Sequence, residues 1–314
     1  MKKETISVVI PAYNCEDYIA ACISSLETQT RKPDEIVLVD DGSVDQTSKV
    51  ARKFKCKIIK LEKNLGRGAV RDIGWRKTTG DIVVFLDADS IADKDWLSEI
   101  EKNMKHFDAV SDVRRVFHPD SLYLRALNSN YVLIYGNNYL PTCAWAFRKK
   151  VLEKIGGFNC HINVAEEKDI SHKLKVHNIN IGFVPSAIQY HAGKPRNLME
   201  GLIRSFRHEA GKHKYYVCHP KDLHWKKHFT VNLIIFSTFI SGIVGGYTTG
   251  VKFFLFLNLL FYIVILLRHG IKRRGFSLIP WHLVTILAFV RLLENYAETS
   301  GFLYGRLVSC WEKN

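Results

Sequence analysis

The chain has 314 residues, 47% apolar and 24% charged, which excludes a disordered or low-complexity polymer and leaves ample material for a buried core. Lysine and arginine number 45 against 31 aspartates and glutamates, a formal net charge of +14. That balance suits anionic partners (nucleotide diphosphates, lipid head groups or nucleic acid) without choosing among them. The seven cysteines form no C-x-x-C pair and no zinc spacing, and their odd number argues for reduced thiols rather than a disulfide framework.

Residues 1–3 (MKK) lead into an apolar run that ends at Pro11, too brief for the h-region of a signal peptide, so no N-terminal export is expected. Residues 6–10 (ISVVI) read as a strand, and Tyr18, Ile19, Cys22, Ile23 and Leu26 follow at helical spacing. A second strand is predicted at 36–39, then Asp45 as N-cap of a helix reaching Phe54. Residues 57–61 form a third predicted strand, 68–77 a helix, and 82–86 an apolar strand covered on both faces. Trp96, Leu97, Ile100, Met104 and Phe107 mark a further helix. Beyond residue 108 the pattern becomes mixed: a strand at 143–147, a short helix at 148–155, and a turn at Gly156-Gly157-Phe158. A helix at 166–177, a strand at 181–190 ending at His191, and a basic helix at 198–213 follow.

Repeated β-α units imply an α/β fold with a parallel sheet and right-handed crossovers. Ligands of such sheets bind beyond the carboxyl ends of the strands. Two acidic clusters, Asp40-Asp41 and Asp87-Ala88-Asp89, follow two of the predicted strands, so the topology directs both toward one crevice.

The C-terminal region differs in kind. Between Phe229 and Leu267 the only charge is Lys252, and 229–246 and 252–267 are each about long enough to cross a hydrocarbon layer of roughly 30 Å. Lys226-Lys227-His228 precedes the pair and Arg268, Lys272, Arg273 and Arg274 follow it, which by the positive-inside rule places both ends in the cytoplasm. Residues 278–293 contain Pro280 and Arg291 and read as an interfacial amphipathic helix. The predicted organisation is a catalytic domain at 1–215, a basic linker at 216–228, two membrane helices at 229–268 and an interfacial segment at 269–314.

Asp87-x-Asp89 at a strand's carboxyl end supplies two hard oxygen ligands for Mg²⁺ or Mn²⁺, which would neutralise a departing diphosphate. Four motifs now stand in order: ISVVIPAYN (6–14), DDGSVDQT (40–47), NLGRGAVRDIG (64–74) and GDIVVFLDAD (80–89). Together they resemble glycosyltransferase family 2, densely through residue 100 and more loosely to about 215. The resemblance implies a GT-A catalytic fold, mixed but mainly parallel, and an inverting transferase that uses a nucleotide-activated sugar and a divalent metal. It assigns Pro11, Ala12 and Tyr13 to the nucleoside loop, Asp40 to the base (usually uracil), and Arg71 to the donor side. Asp87, Ala88 and Asp89 fall on the diphosphate and metal, and Asp72 stands where the family commonly has Asn. For Arg67 and Arg71 together, a solvated helix face is the alternative.

Glu166-Glu167-Lys168-Asp169 resembles the family's acidic segment, aligning Glu167 with the general base and leaving Glu166 as the alternative. The plain reading is acids favoured by a helix N-terminus. His191 matches a third metal or phosphate ligand of some relatives, against a satisfied core histidine. Lys194, Arg196, Arg204 and Arg207 suit a diphosphate or anionic lipid, and Trp145 and Tyr139 suit an acceptor site or the core.

The expected function is therefore sugar transfer from a nucleotide-diphosphate donor, with UDP favoured, to a saccharide or lipid-linked saccharide at the cytoplasmic face of a membrane. A polyprenyl-phosphate acceptor is the nearest rival, but those enzymes show D-x-D-x-Q where this chain has Ile91. A non-catalytic nucleotide-binding scaffold is the rival from another class. No RNA- or DNA-reading motif accompanies the charge, so a nucleic-acid partner is not expected.

Overall fold

The computed structural model describes residues 3–116, 145–191, 198–219 and Tyr304. The chain divides into two compact units, one made of residues 1–117 and 137–194, the other of 118–136 and 195–314. In the first unit the order is β1 (Ile6–Ala12), α1 (Glu16–Glu27), β2 (Glu35–Asp40), α2 (Thr47–Ala51), β3 (Lys57–Lys60) and α3 (Arg67–Arg76). There follow β4 (Ile82–Phe85), β5 (Ser90–Ala92), α4 (Trp96–Asn103), β6 (Ala109–Val116), β7 (Trp145–Arg148), α5 (Lys149–Ile155), α6 (Glu166–Val176) and β8 (Ile181–His191). The second unit contains α7 (Leu198–Gly211) and α8 (His213–Cys218), and Phe206 meets Tyr304 there with ring centroids 5.8 Å apart.

The strands form one mixed sheet in the order β3-β2-β1-β4-β7-β6-β8-β5. β1 through β4 pair in parallel, as the β-α repeats predict. β7 then runs antiparallel to β4 and β6, and β5 antiparallel to β8, while β6 and β8 are parallel. All strands except β5 and β7 thus point the same way, and the ends of β1, β2, β4, β6 and β8 gather at one edge of the sheet. Because β5 runs back from that edge, its first residue, Ser90, pairs with the last residue of β8, His191.

Alternation along the central strands builds a core on each face. Ile6, Val8 and Ile10 of β1 and Ile82 and Val84 of β4 pack with Ile19, Cys22, Ile23 and Leu26 of α1 and Trp96, Leu97 and Ile100 of α4. Val9, Val83 and Phe85 face the opposite layer, with Trp75, Phe147, Leu152, Ile155, Ile170 and Leu174. A fully buried aliphatic side chain of this kind contributes about 1.5–3 kcal/mol, so the paired layers hold the strand ends firmly. Trp145 belongs to this second core, stacked on Phe147 at 5.4 Å.

One local difference from the sequence reading has a clear cause. α2 stops at Ala51, and Asp45 acts from outside it: Oδ1 accepts the N–H and hydroxyl of Thr47 (3.0 and 2.6 Å), while Oδ2 accepts the N–H of Glu16 at 3.1 Å. α5, by contrast, ends where the glycine turn is expected: Gly156 lies in the left-handed region (φ 74°), and Gly157 N–H closes the turn on the Leu152 carbonyl at 2.8 Å. Among the described residues, no helix is long and apolar enough to cross a membrane. The segments read as membrane helices and the interfacial segment, Tyr304 excepted, lie outside the described residues, as do Tyr139, Lys194 and Arg196.

Candidate active site

The β4–β5 connection delivers Asp87 and Asp89 to the edge where β8 ends. Asp89 Oδ1 lies 2.9 Å from Nε2 of His191, whose side chain is buried. One ligand atom from each of Asp87, Asp89 and His191 can be chosen so that all lie within 4.8 Å of one another. Two carboxylates and an imidazole at that spacing fit a divalent cation, and β5–β8 pairing is what brings the imidazole in.

Asp87 is also held from the protein side. Arg71 donates to its Oδ1 at 2.8 Å and Arg114 to its Oδ2 at 3.3 Å. Each oxygen keeps a second lone pair for a cation. With its other terminal nitrogen Arg71 donates to Glu166 Oε1 at 2.6 Å, and the side chains of Arg71 and Glu166 are both nearly fully buried. Arg71 thereby ties the end of β4 to the first turn of α6, 95 residues away in sequence.

α6 begins after Ala165, a buried alanine at φ 67°, where a Cβ is strained. That turn places Glu166 inward and leaves Glu167 half-buried beside it. On the other side, α3 starts against the chain segment leading to α6: a Cβ on Gly68 would meet the carbonyl oxygens of Asn159 and Ile162 at 2.5 Å. No residue other than glycine fits between these two backbones without displacement.

Residues 7–173 match the model of the family described as Glycosyl transferase family 2, and residues 120–291 match that of Glycosyl transferase family group 2. The chain belongs to glycosyl transferase family 2. Over 221 residues it is 29% identical to the Escherichia coli UDP-Glc:alpha-D-GlcNAc-diphosphoundecaprenol beta-1,3-glucosyltransferase WfaP, covering 64% of this chain and 84% of that protein. It is 34% identical over 110 residues to Glycosyltransferase GlyA of Streptococcus pneumoniae, covering 34% of this chain but only 16% of that longer protein. Among solved structures, mannosyltransferase PcManGT from Pyrobaculum calidifontis, in complex with GDP-Man and Mn²⁺, superposes with a TM-score of 0.63 at 18% identity, over 100% of this chain and 89% of that one. S. aureus TarS 1-349 superposes with a TM-score of 0.51 at 20% identity, over 97% and 92%. At those identities the likeness is one of fold, and it agrees with a GT-A-like mixed sheet.

The family motifs occupy distinct places. Pro11 and Ala12 close β1, with Tyr13 half-exposed just beyond, and Asp41 N–H donates to the Ala12 carbonyl at 2.8 Å. Asp40 ends β2 as a wholly buried side chain; its Oδ1 accepts the Ser43 N–H at 2.8 Å and its Oδ2 the Ser48 hydroxyl. It is not a solvated turn aspartate in this structure. Ala88 is buried between the two aspartates of the Asp87–Asp89–His191 cluster. Arg67 and Arg71, read together in the sequence, separate: Arg67 is exposed and Arg71 buried. Asp72 turns to the α5–α6 side, accepting from Trp75 Nε1 at 2.7 Å and from Phe158 N–H at 3.1 Å. Arg204 and Arg207 are exposed on α7, in the second unit.

Two residues at the site escaped the sequence reading, both on β6. Arg114 grips Asp87, and Asp112, fully buried, accepts from Trp96 Nε1 and, through Oδ2, from Gln189 Nε2 at 3.0 Å. Burial pushes the Asp112 carboxyl up to about 7 against the pull of those two hydrogen bonds. The nearby thiols are quiet: burial raises Cys15 to about 11 and Cys22 well above the ordinary range.

Proposed function

We propose that this family 2 glycosyltransferase moves a sugar from a UDP-sugar to a hydroxyl of a saccharide or lipid-linked saccharide, with inversion, at the cytoplasmic face of a membrane. The observation that carries this reading is the Asp87–Asp89–His191 cluster joined through Arg71 to the Glu166-Glu167 helix start. Mg²⁺ or Mn²⁺ held by Asp87, Asp89 and His191 would offset the charge of the departing nucleotide diphosphate.

The chain's own groups do the remainder. Pro11, Ala12 and Tyr13 with Asp40 border the nucleoside, and Asp87, Ala88 and Asp89 the diphosphate. Glu167 takes the proton of the acceptor hydroxyl as its oxygen bonds to the anomeric carbon; the bond to the phosphate oxygen breaks, and its electron pair leaves with UDP. Glu166 is the less suited base because Arg71 already claims it. The preference for a UDP donor and a lipid-linked acceptor draws on the activity for which the E. coli relative is named and on the apolar pair of segments at 229–246 and 252–267. A scaffold without catalysis would have no need of a complete donor set beside an acidic helix start.

The test is transfer by the full chain in membranes, with a panel of labelled nucleotide sugars and with lipid-linked saccharide or polyprenyl phosphate as acceptor, with and without chelator. Chelator-sensitive transfer to the saccharide is expected. Glu167→Gln should keep UDP binding and lower transfer by about 10²–10³-fold. Efficient glycosylation of polyprenyl phosphate, or full rates in Glu167→Gln, would overturn the acceptor or the base respectively.

A further inference from the structure

Behind the metal cluster lies a polar network that sugar transfer does not directly use. Its centre is Asp112. The pairing of β6 with β8 shifts register here: Ser111 pairs with Phe183 and Val113 with Ile188, so the step that β6 makes through Asp112 alone takes β8 through a bulge of four residues, 184–187. Past the bulge, Arg114 pairs with Gln189 and Val116 with His191. The two groups that reach the cluster from this part of the sheet, Arg114 and His191, are thus placed by the register that begins at Asp112.

The Asp112 carboxylate stands at this register step. It accepts from the indole of Trp96, which anchors it to α4 in the core, and from the amide of Gln189, which lies two residues before His191 on the same buried face of β8. A carboxylate with 1% exposure in a sheet is costly to keep charged, and burial raises its pKa to about 7. An apolar side chain would close an ordinary strand without that cost but could hold neither partner.

We propose that Asp112 is a positioning residue which, by pinning Gln189 just past the β8 bulge, fixes His191 and Arg114 about Asp87 and Asp89 and so sets the cluster's affinity for a divalent cation. The inference rests on reading that cluster as the metal site. Outer partners of this kind govern affinity because a ligand free to swing must be ordered when the ion binds.

Calorimetric titration of the full chain with Mn²⁺ alone tests it, on the native protein and on Asp112→Ala, Asp112→Asn and Asp41→Asn. Asp112→Ala should weaken Mn²⁺ binding by about 10–100-fold. Asp112→Asn should return it to within about 3-fold, since the asparagine carbonyl still accepts from Trp96 and the Gln189 amide, whose Oε1 has no hydrogen-bond partner, can turn to accept from the new amide. Asp41→Asn, which loosens a different turn, should leave Mn²⁺ affinity unchanged. Native affinity in Asp112→Ala, or equal losses in all three variants, overturns the positioning role while leaving the metal site standing. A native protein that binds no Mn²⁺ overturns both. Should Asp112→Ala fail to fold, Gln189→Leu takes its place, with weakened binding expected and native binding fatal to the idea.

Discussion

Two aspartate pairs, Asp40-Asp41 and Asp87/Asp89, follow parallel strands of the same sheet, and they are used in opposite ways. The first pair is consumed by its own loops: Asp40 by the Ser43 N–H and the Ser48 hydroxyl, Asp41 by the N–H groups of Leu65 and Gly66 at 2.7 and 3.0 Å. The second is met by side chains, Arg71, Arg114 and His191, and neither of its aspartates is fully buried. Loop donors hold the first pair in place, whereas cationic side chains balance the charge of the second and leave lone pairs for an ion. The same residue type at the same kind of position is anchored into the architecture by its own loop in one case and set among cationic side chains from other elements in the other.

That contrast is open to direct challenge. Asp89→Ala should lower transfer by at least about 10³-fold even at saturating metal, corresponding to several kcal/mol of lost charge stabilisation, with little change in the melting temperature. Near-native turnover would place Asp89 with the architectural acids.

A second measurement concerns Asp112. Its carboxyl, raised to about 7 in the fold from 3.8, lets the native state bind a proton that the unfolded chain has released. The stabilisation is complete below the unfolded value and is lost as pH climbs to about 7. Relative to Asp112→Asn, the native protein should therefore lose on the order of a few kcal/mol between about pH 4 and pH 7, measured by urea unfolding. A constant difference across that range would mean the carboxylate is better solvated than the structure shows.

Smaller effects belong to the architectural pair. Asp41→Asn should cost about 2 kcal/mol, because an amide cannot accept from both the Leu65 and Gly66 N–H groups. Smallest of all is Arg76→Ala. Arg76 bonds Asp72 one helical turn away at 2.8 Å and covers the Trp75 ring at 4.4 Å, but it is half-exposed, so about 0.5 kcal/mol is expected in thermal unfolding with no change in activity. A large loss there would show that the surface arginine of α3 matters as much as the buried one.

The elements of the first half were legible because apolar spacing survives in them: β1 to β4 and α1, α3 and α4 lie within a few residues of where periodicity puts them. β5 is three residues long, too short to carry a period, and β6 reads AVSDVRRV, with Ser111 and Asp112 buried where a strand pattern calls for apolar residues. Neither was therefore read as a strand. The acids of the cluster were visible as D-x-D, and His191 was placed by the strand before it. What spacing could not reveal was the partner of Arg71, since nothing local links residue 71 to Glu166. Arg114 and Asp112 were hidden for the reason β6 was.

The close passage at Gly68 has a bearing on how this enzyme could be altered. Arg71 sits one helical turn past that glycine and Glu166 four residues past Ile162, so the gap between the two helices is set by a missing methyl group. A single added carbon at position 68 would act as a wedge, prising the guanidinium from its glutamate without changing any charge. The spacing of the reacting halves is thus tunable by volume alone.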